Sequence, residues 1–255
     1  MPVAVQAGLW GLLSGSALLI GAGIGWRAPL SHRTIAGIMA FGAGVLISAL
    51  SFELMEEAWR SGGFWPVAAG FLGGAAVYTL LNRLLGAAGA KHRKRSVIAE
   101  RAKDREANPG NGNALALGAL LDGIPESIVI GVGLLRGGGT GYVAAAAVFL
   151  SNLPEGLSSA AGMRAEGKSA AHIFGLWSAI ALSAGVAAWL GNVAFAGLPA
   201  EAIAATQAVA AGAILAMVVD TMVPEAFEGT HDHAGLIAVA GFLAAFAMSR
   251  WARGV

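Results

Sequence analysis

The chain contains no cysteine, which removes disulfides, thiolate metal ligands and cysteine nucleophiles from consideration. Charge is scarce as well. Asp, Glu, Lys and Arg make up 12% of the 255 residues, against roughly 25% in a soluble domain. That leaves too little polar surface to cover a water-soluble globule of this size. A net charge of +1 gives no reason to expect a nucleic-acid partner. No basic stretch precedes the first apolar run, which opens Met1-Pro-Val-Ala-Val-Gln6, so a first transmembrane helix is expected there rather than a cleaved signal peptide.

Apolar runs fill the rest, and 56% of the residues are hydrophobic. Spanning a bilayer takes about 20 such residues per helix, a length the sequence supplies repeatedly. Spans are predicted at 4–26, 34–57, 63–87, 113–135, 139–163, 169–193, 203–225 and 234–252. The fold class expected is an all-α membrane protein, one transmembrane domain over 1–255. Many of the 38 glycines sit inside apolar runs, as in Gly15–Gly21 and Gly70–Gly74. Small residues there let helices approach closely in lipid, where packing drives association. The seven tryptophans mostly flank the runs, as interfacial anchors do.

The one long polar segment, 88–112, gathers Lys91, Arg93, Lys94, Arg95, Arg101, Lys103 and Arg105 and ends in Asn108-Pro-Gly-Asn-Gly-Asn113. Positive residues in loops mark the cytoplasmic side. With eight spans, the side holding this basic loop also holds Arg27, Arg33, Arg83, Arg164 and Lys168, while Arg60, Arg136, Arg250 and Arg253 fall opposite. Both termini are therefore expected outside, in a multi-pass inner-membrane topology. An internal repeat is also visible. Ala40-Phe-Gly-Ala-Gly-Val45 aligns with Ala208-Val-Ala-Ala-Gly-Ala213, and Glu57-Ala58 with Glu225-Ala226, both 168 residues apart. The second and seventh spans run in opposite directions, so this reads as an inverted repeat, a plan common among secondary transporters.

Ionisable groups inside spans are costly, roughly 2.5–3.5 kcal/mol each, and are functional candidates by default. The fourth span carries Leu121-Asp-Gly-Ile-Pro-Glu-Ser127 and the fifth Leu150-Ser-Asn-Leu-Pro-Glu-Gly156. Asp122 and Glu126, four apart, share a helix face, as do Ser151 and Glu155, with Asn152 alongside. At 1.5 Å per residue, Asp122 lies about 14 Å and Glu126 about 20 Å from the cytoplasmic end of one span, Glu155 about 12 Å and Ser151 about 18 Å from that of the other. Two polar rungs are thus expected to face each other, Asp122 with Glu155 and Glu126 with Ser151 and Asn152. The carboxylates would repel unless protonated or neutralised, and neither span contains Lys or Arg. An oxygen-rich cluster of this kind suits a divalent metal. A buried proton relay and purely structural hydrogen bonding remain as alternatives. Pro125 and Pro154 each free a carbonyl one turn back.

These motifs resemble those of the ZIP (zinc/iron permease) family of metal transporters, which carries His-Asn-x-Pro-Glu-Gly in its fourth helix and a related motif in its fifth. Phe41-Gly-Ala-Gly-Val45 with Glu53, and Asp220 with Pro224, add to the likeness, which covers nearly the whole chain. The resemblance implies a ZIP-like bundle of eight helices and carriage of a divalent cation, as substrate, into the cytoplasm. Glu126, Asn152 and Glu155 match the family motif directly, and Asp122 stands in for a histidine. The chain departs from the pattern at Ser151, in place of the second histidine, at Gly123 in place of an asparagine, at Leu182-Ser183 in the sixth span, and in a loop whose one histidine is His92. One oxygen-rich site is expected rather than a binuclear one, and the loss of imidazole shifts preference from zinc toward manganese, iron or cobalt.

Lesser candidates are Glu53, Glu56 and Glu57, at a cation entrance or simply a solvated helix end; Asp220 and Glu225, lining an exit; and His231-Asp-His233, more simply a polar turn. His172 reads as an interfacial residue. The expected partners are divalent cations and the bilayer, and a homodimer is compatible with the sequence. No enzyme is expected. Aspartyl intramembrane proteases need a Gly-x-Gly-Asp element, and phosphatidyltransferases a longer aspartate array, and both are absent. The alternatives kept are a non-transporting metal sensor, a proton-coupled carrier of another solute and, last, an intramembrane enzyme.

Overall fold

Runs of apolar residues with few breakers, each longer than a bilayer core is thick, leave the backbone one economical way to satisfy its hydrogen bonds, which is to coil. The computed structural model describes residues 1–28, 30–85, 87, 112–135, 140–165 and 167–252, and these are helical, with no strand among them. The helices are α1 (Val3–Arg27), α2 (His32–Ala49), α3 (Glu56–Gly62), α4 (Phe64–Leu85), α5 (Gly112–Gly133), α6 (Thr140–Ala165), α7 (Ala170–Phe195), α8 (Ala200–Met217), α9 (Val223–Thr230) and α10 (Ala234–Ala252). Side-chain caps start two of them. Ser31 accepts from the Thr34 amide at 3.1 Å, and Ser169 from that of His172 at 3.2 Å. The basic stretch from Lys91 to Arg105, with His92, lies outside the described residues, as do Arg136 and Arg253.

Among the described residues, five helical runs are long and apolar enough to cross a membrane: Val3–Arg27, His32–Gly62, Phe64–Leu85, Ala170–Phe195 and Ala200–Trp251. The last of these folds back on itself at His231, whose φ is 44°. Before that turn, Met222 lies by Gly42 and Gly229 by Ala36, so α9 runs against α2. After it, Ile237 lies by Gly37 and Phe41 by Gly241, so α10 runs along α2. The outward faces are apolar. Leu72, Val77, Leu80 and Leu84 on α4, and Leu236, Val239 and Leu243 on α10, are exposed. Apolar surface of that extent matches a lipid solvent rather than water.

Two predicted spans are not regular helices. Between α2 and α3 the segment Leu50–Met55 is π-helical, and so is Val218–Met222 between α8 and α9. Such widened turns are rare and concentrate at functional sites. Their first residues are 168 apart, the same offset as the sequence repeat.

The helices pack in two sets. In one, α1 lies along α6 and α7, and α5 along α7. In the other, α2 pairs with α10 and α9, and α4 with α8. Contact is close because small residues meet backbone. A Cβ placed on Gly44 would overlap the Ala238 carbonyl, and one on Gly241 the Phe41 carbonyl. In the α4–α8 pair, a Cβ on Gly212 would overlap the Phe71 carbonyl and one on Gly74 that of Val209. The two interfaces correspond residue for residue. α5 and α6, which hold the Pro-Glu motifs, lie where the sets meet, α5 against α8 and α6 against α2. Of the tryptophans, Trp59, Trp65 and Trp251 are exposed near helix ends as expected, whereas Trp177 is buried among Leu18, Met163 and Ile173.

Candidate cation site between α5 and α6

Proline inside a helix removes one donor, so the carbonyl four residues earlier loses its helical partner. Pro125 in α5 and Pro154 in α6 do this to Leu121 and Leu150. The glutamates that follow them, Glu126 (2% exposed) and Glu155 (5%), are buried, and so is Asn152 (5%). These three side chains, one from α5 and two from α6, line a single cavity of about 390 Å³ with Ser14 and Ser127. The Asn152 amide nitrogen donates to the Ser14 carbonyl at 3.1 Å, committing the donor end to α1. Its oxygen is the end a cation can use. Among the described residues, no Lys, Arg or His lines the cavity.

Asp122 and Ser151, expected in the same cluster, do not line this cavity. Asp122 is as buried as Glu126, but its carboxylate accepts from the Tyr78 hydroxyl of α4 at 2.7 Å. The reason is angular. Four residues along an α-helix leave side chains about 40° apart around the axis, enough for the two acids of α5 to serve different neighbours once α4 presents a phenol. Ser151 turns back to donate to the Val148 carbonyl at 3.0 Å, a common fate of a helical serine. The two expected rungs therefore reduce to one group, Glu126, Glu155 and the Asn152 amide. Among the described residues, no three carboxylate or imidazole groups stand close enough together to enclose an ion. An ion held here would need amide, carbonyl or water oxygens as well.

The lesser candidates divide. Glu53 is not at a solvated helix end. It is buried in the Leu50–Met55 π segment and accepts from the Ser249 hydroxyl of α10. Glu56 is exposed and paired with Arg60 at 2.8 Å. Glu225 is buried and accepts from Ser158 of α6, while Asp220 is exposed. His231, Asp232 and His233 form an exposed turn, and His172 is exposed in the first turn of α7.

Tyr78, Ser158 and Ser249 escaped the sequence reading. Tyr78 carried a usable signal. It is one of two tyrosines in the chain, placed mid-run, and a buried phenol requires a partner. The serines look like any small helical residue.

No family model matches the chain, and no curated protein is significantly similar to it.

Proposed function

We propose that this chain carries a divalent metal cation across a cell membrane toward the cytoplasm, and that Glu126, Glu155 and the Asn152 oxygen hold the ion on the way. The observation that carries this is that two buried carboxylates from neighbouring helices line one cavity, whose lining among the described residues includes no basic side chain. Like charges in low dielectric are expelled or protonated unless something positive joins them, and a dication supplies that charge. Oxygen donors without sulfur or imidazole favour manganese, iron or cobalt over zinc.

The architecture we infer is eight spans with an inverted repeat, like the ZIP family that the Pro-Glu motifs resemble. Three features support it. The helical segments begin and end close to the eight predicted stretches. The two π segments keep the 168-residue offset. The glycine contacts of α2 with α10 recur between α8 and α4, Gly44 corresponding to Gly212 and Gly241 to Gly74. In this reading the ion sheds its water at the carboxylates and leaves when one helix set shifts against the other. The Tyr78–Asp122 and Ser158–Glu225 hydrogen bonds join the two sets, so they are the contacts such a shift must exchange.

The test is uptake into vesicles that contain the purified chain and a trapped metal-sensitive dye. Time-dependent accumulation of manganese, cobalt or zinc above protein-free vesicles is expected. Saturable binding without flux identifies a sensor instead, and neither binding nor flux contradicts the cation reading altogether.

A further inference from the structure

The cavity behind Glu126 and Glu155 is not closed. Ile124 on α5 and Val186 and Leu190 on α7 line it, yet they are 47%, 56% and 51% exposed. Side chains that are both wall and surface stand at a mouth, so the cavity opens sideways between α5 and α7. The surface around that mouth is apolar. Leu182 and Val193, above and below it on α7, are exposed. In a membrane this opening faces acyl chains. A hydrated metal ion has no favourable contact with such an entrance, since it would shed its water against leucine and valine.

The walls are suited to another kind of molecule. Apolar residues, Leu18, Leu120, Ile130 and Ile180 among them, make up most of the lining, and the ionisable groups on it are the two carboxylates. A volume of about 390 Å³ is within the usual range for a small-ligand site, where apolar walls and a few placed polar groups fix orientation. We propose that this is a lateral binding site for a hydrophobic organic cation, an alkylammonium whose chain enters from the lipid between α5 and α7 and whose head pairs with Glu126 and Glu155. The proposal rests on the reading of those two residues as a cation-holding pair, and it makes the amphiphile a competitor of the metal from the membrane side.

Gly123 provides the means to test it. It lines the cavity, and a Cβ added there has nothing within 4 Å, so Gly123→Phe introduces a ring into the cavity from a position that tolerates a side chain's first atom. The purified chain in phosphatidylcholine vesicles is irradiated with a dodecylammonium carrying a diazirine at its far end, and in parallel with the matching neutral alcohol, and labelled peptides are mapped by mass spectrometry. The ammonium probe is expected to label α5 between Leu120 and Ile130 and α7 between Ile180 and Leu190. Gly123→Phe, checked for an unchanged melting temperature, lowers that labelling about tenfold, and Glu126→Gln with Glu155→Gln lowers it to the level of the alcohol. Equal labelling by the alcohol in the unaltered chain, label spread evenly over α4 and α10, or label unchanged by Gly123→Phe overturns the proposal. Because no metal flux is read, a chain that takes the amphiphile but carries no metal keeps this site and discards the transport reading.

Discussion

Vesicles containing the Glu126→Gln, Glu155→Gln double variant accumulate no metal above background. Glutamine preserves the shape of both side chains but removes their charge and turns one acceptor oxygen of each into an N–H donor, so the comparison reports the carboxylate as a ligand. A pair of unit charges about 4 Å apart interacts with roughly 4 kcal/mol at an effective dielectric of 20. A dication facing two carboxylates draws on that attraction several times over, against the cost of shedding its water. Losing both charges therefore removes at least about a hundredfold of affinity. Each single variant leaves one carboxylate and falls between. The melting temperature of the double variant, measured beside uptake, separates loss of the site from loss of the fold. Undiminished uptake by a normally inserted double variant contradicts the assignment of these residues.

The second large effect concerns the helix contacts. Gly44→Ala and Gly212→Ala each place a methyl group on a backbone carbonyl of the facing helix, Ala238 in one case and Phe71 in the other. No rotamer change relieves an overlap with backbone, so the helices must separate. Overpacking of this kind costs about 1–3 kcal/mol and sometimes more. Both variants are expected to unfold at clearly lower temperature in detergent, and by similar amounts, since the two sites occupy matching places in their helix pairs. Gly175→Ala is the control. It lies in α7 with nothing near its Cβ position, and replacing a helical glycine there is neutral or stabilises by about 0.5–1 kcal/mol. Parental melting of Gly212→Ala runs against the close packing described for α4 and α8.

The helices were legible because length and apolarity decide them locally. Residues 4–26 contain no charge and no proline, and α1 covers Val3–Arg27. The π segments were not legible, since the acidic residue each carries, Glu53 in Leu50–Met55 and Asp220 in Val218–Met222, does not by itself distinguish a widened turn from an α-helical one. Spacing and helix direction set Glu126 level with Asn152, and both line one cavity; the same reasoning paired Glu155 with Asp122, which does not line it. The diversion of Asp122 depended on which helix lies beyond it. That neighbour is α4, more than forty residues away in the chain, and the hydroxyl of Tyr78 is the feature that decides where the carboxylate turns. Glu53 shows the same dependence. Near the end of a predicted span it reads as solvated, but continuation of the helix through α3 carries the true end to Gly62 and leaves Glu53 inside, against Ser249. Long-range neighbours thus account for Asp122 and Glu53, whereas Ser151 turns to a carbonyl of its own helix.

Anomalous scattering from crystals soaked separately with manganese, cobalt and zinc tests the central claim most directly, because it locates the ion without reference to flux. The account predicts one peak between α5 and α6, with Glu126, Glu155 and Asn152 oxygens about 2.0–2.2 Å from it. A peak only at Glu53 or Glu225, or Glu126 and Glu155 facing an empty cavity at saturating metal, would contradict it.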